Sequence, residues 1–129
     1  SAYELANKQY VDGLIQGVQW GRAVRVVETT SNIDISVPLG SQIDDITLSS
    51  GDRILLTAQT NQIENGLWIL DGGLSFVRPT DFASGGSAAA RTVFVNEGTN
   101  FKDVTFSCTS DEGSDVIDTD SLPPSGTLG

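Results

Sequence analysis

The spacing of apolar and polar positions changes twice along the chain, and each change marks a boundary. In the first segment Val11, Leu14, Ile15 and Val18 fall at i, i+3, i+4 and i+7, which is one stripe on an α-helix. Leu5 and Ala6 extend the same pattern. Gly13 and Gly17 weaken the helix, each by about 1 kcal/mol relative to alanine. A helix this short is marginal alone in water, so its stripe needs a partner. That partner is the rest of the chain or the same stripe of other subunits.

From Gly21 the period drops to two and β-branched residues dominate. Strands are expected over 22–30, 33–37, 43–48 and 53–58, with a turn at Ser49-Ser50-Gly51-Asp52. Gly66 to Leu70 and Leu74 to Arg78 are joined by Asp71-Gly72-Gly73, which predicts a hairpin because those residues tolerate positive φ. Thr92 to Val95 and Val104 to Cys108 predict a second hairpin. A small-residue loop, Pro79 to Ala90, separates the two. Many short strands with no helix between them predict a mainly β fold, an antiparallel β-sandwich or small barrel preceded by a short N-terminal amphipathic helix.

The last change comes after Ser110. Five of the 17 acidic residues, Asp111, Glu112, Asp115, Asp118 and Asp120, lie in one stretch without a basic residue. Pro123-Pro124 then blocks both helix and central strand. The chain thus divides into an assembly helix (1–20), a β-domain (21–110) and an acidic, proline-containing C-terminal arm (111–129).

Composition removes whole classes of chemistry. The 129 residues suffice for one core, and they contain no histidine and one cysteine. Histidine relays and histidine metal ligands are excluded, as are an intrachain disulfide and a cysteine-rich zinc site. A net charge of −10 argues against a phosphate-backbone binder. The apolar runs are far short of the roughly 20 residues that span a membrane, so no membrane insertion is expected.

Few side chains then remain as candidate sites. Asp111, Asp115, Asp118 and Asp120 supply oxygens for a cation, but their spacing misses the calcium-loop pattern, and a solvated acidic stretch is the plainer reading. Asp44, Asp45, Asp52 and Glu64 are the carboxylates a glycosidase pair would draw on, yet nothing singles out two of them. Trp20 and Trp68 are candidate glycan-stacking residues. Trp68 lies between Leu67 and Ile69 in a predicted strand, which favours core packing, and Trp20 stands at the junction of helix and first strand. Cys108 alternates with Phe106 and Val104 and reads as a buried thiol. No phosphate-binding or dinucleotide fingerprint occurs, no cofactor is implied, and no enzymatic activity is expected.

An ordered set of motifs resembles a known family. Asn7-Lys8-Gln9-Tyr10-Val11-Asp12-Gly13 resembles the A-x-K-x-Y-V-D helix of tailed-phage tail-fibre and other virion structural β-modules. Trp20 to Val26 is similar to the strand that follows it there. Asp45 to Leu56 resembles D-G-x-x-L-x-x-G-D-R-V-L-V. Gln59-Thr60 with Glu64-Asn65-Gly66-Leu67-Trp68 is similar to Q-T-x-x-x-E-N-G-I-Y. Arg78-Pro79-Thr80-Asp81 resembles R-x-x-D, Val93 to Thr99 resembles V-F-V-x-E-G-T, and Phe106 to Ser110 resembles W-x-C-T-T. The match runs in order over roughly residues 4 to 110. It departs at Trp68, where the family has tyrosine, at Ala88 to Ala90, and after Ser110, where the family adds a strand with an aromatic close.

The resemblance implies a non-enzymatic virion component, often trimeric, with turn and framework residues rather than catalytic ones. Gly66 is expected at a turn, Asp52 and Arg53 in fixing loop geometry, and Arg78 paired with Asp81. The expected protein is a tail-fibre or tail-associated component that assembles as a homotrimer through Leu5, Val11, Leu14, Ile15 and Val18. It is located on the virion, at the tail or capsid surface, and contacts other virion proteins and a host surface glycan. A capsid decoration protein or head fibre, and a carbohydrate-binding module, are the alternatives. A capsule depolymerase ranks below them. Ser1 suits a natural start after removal of an initiator methionine, which fits a complete small virion protein, whereas a slice of a longer fibre suits a shaft or tip.

Overall fold

The computed structural model describes residues 19–36, 42–72, 75–110, 113–122 and 126–127. The expected N-terminal helix, with Leu5, Val11, Leu14, Ile15 and Val18, falls outside the described residues. Among the described residues ten short strands follow in the order β1 (Gln19–Trp20), β2 (Val26–Glu28), β3 (Gln42–Ile43), β4 (Ile46–Thr47), β5 (Arg53–Leu56), β6 (Gly66–Leu70), β7 (Phe76–Val77), β8 (Arg91–Phe94), β9 (Thr105–Ser107) and β10 (Gly126–Thr127). Single 3-10 turns occupy Gln62–Glu64 and Thr80–Phe82. The fold is mainly β, as the period-two pattern predicts.

The strands form two four-stranded sheets and a small hairpin. One sheet has the order β1-β8-β9-β10, the other β2-β5-β6-β7, and β3 pairs with β4. The second sheet is the middle layer. Val27, Leu55 and Leu67 on one of its faces pack against Val93, Val95 and Phe106 of the first sheet. Val26, Ile54, Leu56 and Trp68 on the other face pack against Ile33, Ile43 and Leu48. Burial on both faces explains why Ile54-Leu55-Leu56 is a continuous apolar run rather than an alternating one.

The expected hairpins form with the expected partners. β6 pairs antiparallel with β7, Ile69 opposite Val77, and β8 pairs with β9, Val93 opposite Phe106. The sheets themselves are mixed, not antiparallel, and among the described residues neither closes into a barrel. β1 runs parallel to β8, and β2 parallel to β5. The cause is the single extended stretch that begins at Gln19. It bridges Val24 to Val95 in the first sheet, and then the Arg25 N–H donates to the Arg53 carbonyl in the second at 2.7 Å. One chain direction thus serves both sheets, through partners that no local turn signal reveals.

Two other segments differ from expectation. At 33–36 there is a turn instead of a strand, because the Asp34 carboxylate accepts from both the backbone N–H and the hydroxyl of Ser36 at 2.9 and 2.6 Å. The 43–48 stretch folds as a hairpin, with Asp44 and Asp45 at φ +50 and +71. That left-handed pair is the geometry a two-residue β-turn requires.

The acidic segment is not a free arm. Ile117 and Leu122 are fully buried in the core between the two sheets. Gly85 N–H donates to the Ile117 carbonyl and Ile117 N–H to the Gly86 carbonyl, both at 3.0 Å. β10 adds antiparallel to β9. The alternation of acids with apolar residues, Asp115-Val116-Ile117-Asp118, hid a packed strap inside a charged run.

Candidate functional site

The residues that carry the motif resemblance form a polar frame linking distant segments. Arg53 holds Asp81 with two parallel bonds of 2.8 and 2.7 Å, and its Nε donates to the Arg22 carbonyl at 2.9 Å. Arg25 bonds Asp52 at 2.7 Å and Glu97 at 3.2 Å. Gln59 donates to and accepts from the backbone of Ile33 at 2.8 Å. Its N–H donates to Asn65 Oδ1, and Asn65 Nδ2 donates to the Leu122 carbonyl at 2.8 Å.

Arg78 is the most heavily bonded of these. Its guanidinium donates to the carbonyls of Leu67, Ile63 and Asn65 at 3.0, 3.1 and 3.2 Å, and pairs with Asp118 at 2.9 Å. Its flat face lies 3.7 Å from the Trp68 ring centroid. Burial lowers its pKa below the ordinary arginine value, against the pull of Asp118, and an arginine so placed stays charged. The expected Arg78–Asp81 pair is therefore replaced by two others, Arg78–Asp118 and Arg53–Asp81.

Trp68 is a core residue rather than a glycan platform. It is 7% exposed, with Arg78 over its ring, Phe76 stacked at 6.2 Å and its Nε1 donating to the Glu64 carbonyl at 2.8 Å. Trp20 is the opposite case, at 59% exposed. It pairs with Thr92 across β1 and β8. Phe94, two residues further along β8, is 38% exposed and shares that face with Trp20 and Thr92. The two exposed aromatic side chains, Trp20 and Phe94, make the candidate interaction surface, while Thr92 beside them is fully buried, its hydroxyl 2.9 Å from that of Ser107. Phe94 escapes sequence reading because Val93 and Val95 are apolar too. Only the period of two, with both valines buried, turns Phe94 outward.

Six of the candidate carboxylates, Asp44, Asp52, Glu64, Asp115, Asp118 and Asp120, bond to the chain itself. Asp115 is buried and accepts from the Ser87 hydroxyl, from Ala89 N–H at 2.8 Å and from Gly113 N–H at 3.1 Å. Asp118 pairs with Arg78, and Asp120 accepts from Val116 N–H at 2.9 Å. Asp111 lies outside the described residues. Among the described residues, no three His, Cys, Asp or Glu side chains are grouped to hold a metal. Asp44 accepts from the backbone N–H groups of Asn100 and Phe101 and from the Asn100 amide. Cys108 is partly exposed. With Leu55, Phe106 and Leu122 it lines a cavity between the sheets that has room for about one water molecule.

Two of these carboxylates link stability to pH. The Ser87 hydroxyl, then the Ala89 N–H, hold the Asp115 carboxyl below its ordinary value despite desolvation. At Asp81, desolvation pushes upward but is outweighed by the bonds and charge of Arg53, so this carboxyl is lowered too. A carboxyl lowered by folding contributes stability above its unfolded value, about 4, and loses it as pH falls through the folded value. Relief of self-repulsion at a net charge of −10 works the other way on acidification. The difference between wild type and Asp115→Asn isolates the local effect. The wild type's advantage in urea midpoint is expected to be full at neutral pH and to shrink below about pH 4. An advantage independent of pH would contradict this role for Asp115.

No protein-family model, no curated protein and no solved structure matches this chain.

Proposed function

We propose that the chain is a structural protein of a tailed-phage virion, a tail-fibre or tail-associated component that assembles as a homotrimer and displays a host-facing surface. The observation that supports this most is the use made of the motif residues. Arg53, Gln59, Asn65, Arg78 and Asp81 bind remote segments into one rigid body, and Gly66 permits a close approach within it. A module selected for exposure and assembly needs such a frame, since it fixes the loops without reacting.

Assembly is assigned to the stripe of Leu5, Val11, Leu14, Ile15 and Val18, packed about a three-fold axis. Val11→Asp or Leu14→Asp then yields monomers while the far-ultraviolet signal of the β-domain persists. Monomer formation is read by gel filtration. Labelled-antibody electron microscopy of the particle tests the location. Label on the tail supports the proposal, and label on the capsid replaces it with a decoration protein or head fibre.

The exposure of Trp20 favours a second reading of the displayed surface, a contact with host glycan. Trp20→Ala then abolishes signal on a glycan array without lowering the urea midpoint, because an exposed side chain contributes little to the core. An array without hits removes this reading.

A further inference from the structure

The described residues include two positions where glycine follows an amide or acid of matching length, Asn65-Gly66 and Asp71-Gly72. At both, a backbone nitrogen unhindered by a β-substituent on its own residue can attack the side-chain carbonyl carbon of the residue before it. In an unfolded chain at neutral pH the asparagine reacts faster. Its amide is a neutral electrophile, whereas a carboxylate must first take up a proton.

The fold reverses that order. Asn65 is 3% exposed. Its Oδ1 accepts from Gln59 N–H at 2.9 Å, its Nδ2 donates to the Leu122 carbonyl at 2.8 Å, and its own carbonyl accepts from Arg78. Gly66 is fixed at φ +114 with the Phe82 ring occupying the place a β-carbon would take. The Asn65 side chain therefore has no freedom to close a ring. Asp71 and Gly72, directly after β6, are both exposed. Among the described residues the only hydrogen bond to the Asp71 carboxylate is from Gly72 N–H at 2.8 Å, so the attacking nitrogen already stands beside the group it attacks.

We propose that Asp71-Gly72 is a spontaneous isomerisation site of the native protein, and that the fold silences the chemically faster Asn65-Gly66. The Gly72 nitrogen adds to Cγ of the protonated Asp71 carboxyl. The N–Cγ bond forms, the Cγ–OH bond breaks, and water leaves with that hydroxyl and the amide proton. Water then opens the cyclic imide at either carbonyl. Opening at Cγ restores aspartate, and opening at the backbone carbonyl leaves isoaspartate, with the chain running through Cβ and Cγ. Mass and composition return to the starting values. The same route at Asn65 would release ammonia and add one negative charge.

The test is ageing of the full chain in neutral buffer, native and in urea, followed by peptide mapping with isoaspartyl-methyltransferase labelling. In the native protein isoaspartate accumulates at Asp71 with no mass change, and Asn65 stays an amide. In urea Asn65 deamidates, faster than Asp71 isomerises. If Asn65 reacts only through global unfolding, its native rate is lower by about 10³-fold or more. Gly72→Val slows the native reaction severalfold. An added Cβ at this position meets the Ser50 hydroxyl at 3.8 Å, an ordinary van der Waals contact, and an unchanged urea midpoint checks that the variant keeps the fold. Absence of isoaspartate at Asp71 in aged native protein overturns the proposal. So does native deamidation of Asn65 at the urea rate, or a Gly72→Val rate equal to wild type.

Discussion

Arg78→Met is expected to lower the free energy of unfolding by about 3–5 kcal/mol. The aliphatic stem is kept, so the loss is that of the guanidinium. Three carbonyls, of Ile63, Asn65 and Leu67, lose their donor inside the fold. A buried acceptor left unpaired costs about 1–3 kcal/mol. The stacked contact with Trp68 goes as well. Asp118, partly exposed, turns to water and adds little. Arg78→Lys restores less than half of the loss, because an ammonium cannot present a planar fork to carbonyls on two sides while stacking on an indole. Urea denaturation of both variants measures this. A loss below about 1 kcal/mol for Arg78→Met would mean that the arginine is no more than a surface ion pair.

Gly66→Ala is expected to cost about 4 kcal/mol, from two separate sources. At φ +114 an L side chain is strained, and the added Cβ overlaps the ring of Phe82, which is itself buried. Neither side can yield cheaply, since Arg78 Nη1 stands 3.2 Å away on the same side. Gly51→Ala is the control. Gly51 has φ +90 with nothing near its Cβ position, so only the backbone cost remains, about 1–2 kcal/mol. Equal losses at the two positions would show that the contact with Phe82 plays no part.

These two residues also show how far the sequence could be read. The turn at Glu64-Asn65-Gly66 and the need for a permissive glycine are visible in the residues themselves. So are the hairpins β6–β7 and β8–β9, because turn chemistry and period-two alternation are local signals. The partners of Arg78 are not visible, because they come from the 62–65 turn, from β6 and from Asp118 in the acidic strap. The parallel pairings β1–β8 and β2–β5 are hidden for the same reason. Their partners are joined by no turn.

The packing of the acidic strap is hidden from the sequence because charge is counted along the chain while burial is decided residue by residue. Asp115 is buried among N–H donors, and Ile117 and Leu122 fill the core beside it. Of the two tryptophans, Trp68 packs in the core, where its apolar neighbours along the strand put it, with Arg78 and Phe76 over its ring. Trp20 needed the register with Thr92 to be placed on the same face as Phe94.

The central claim is that this rigid, framed β-module is a subunit of a three-fold assembly. Static light scattering coupled to gel filtration on the wild-type chain tests it most directly. The account predicts a single species with three times the 13.6 kDa mass of one chain, reduced to the single-chain mass by Leu14→Asp. A wild-type protein that elutes at 13.6 kDa across the concentration range would contradict it.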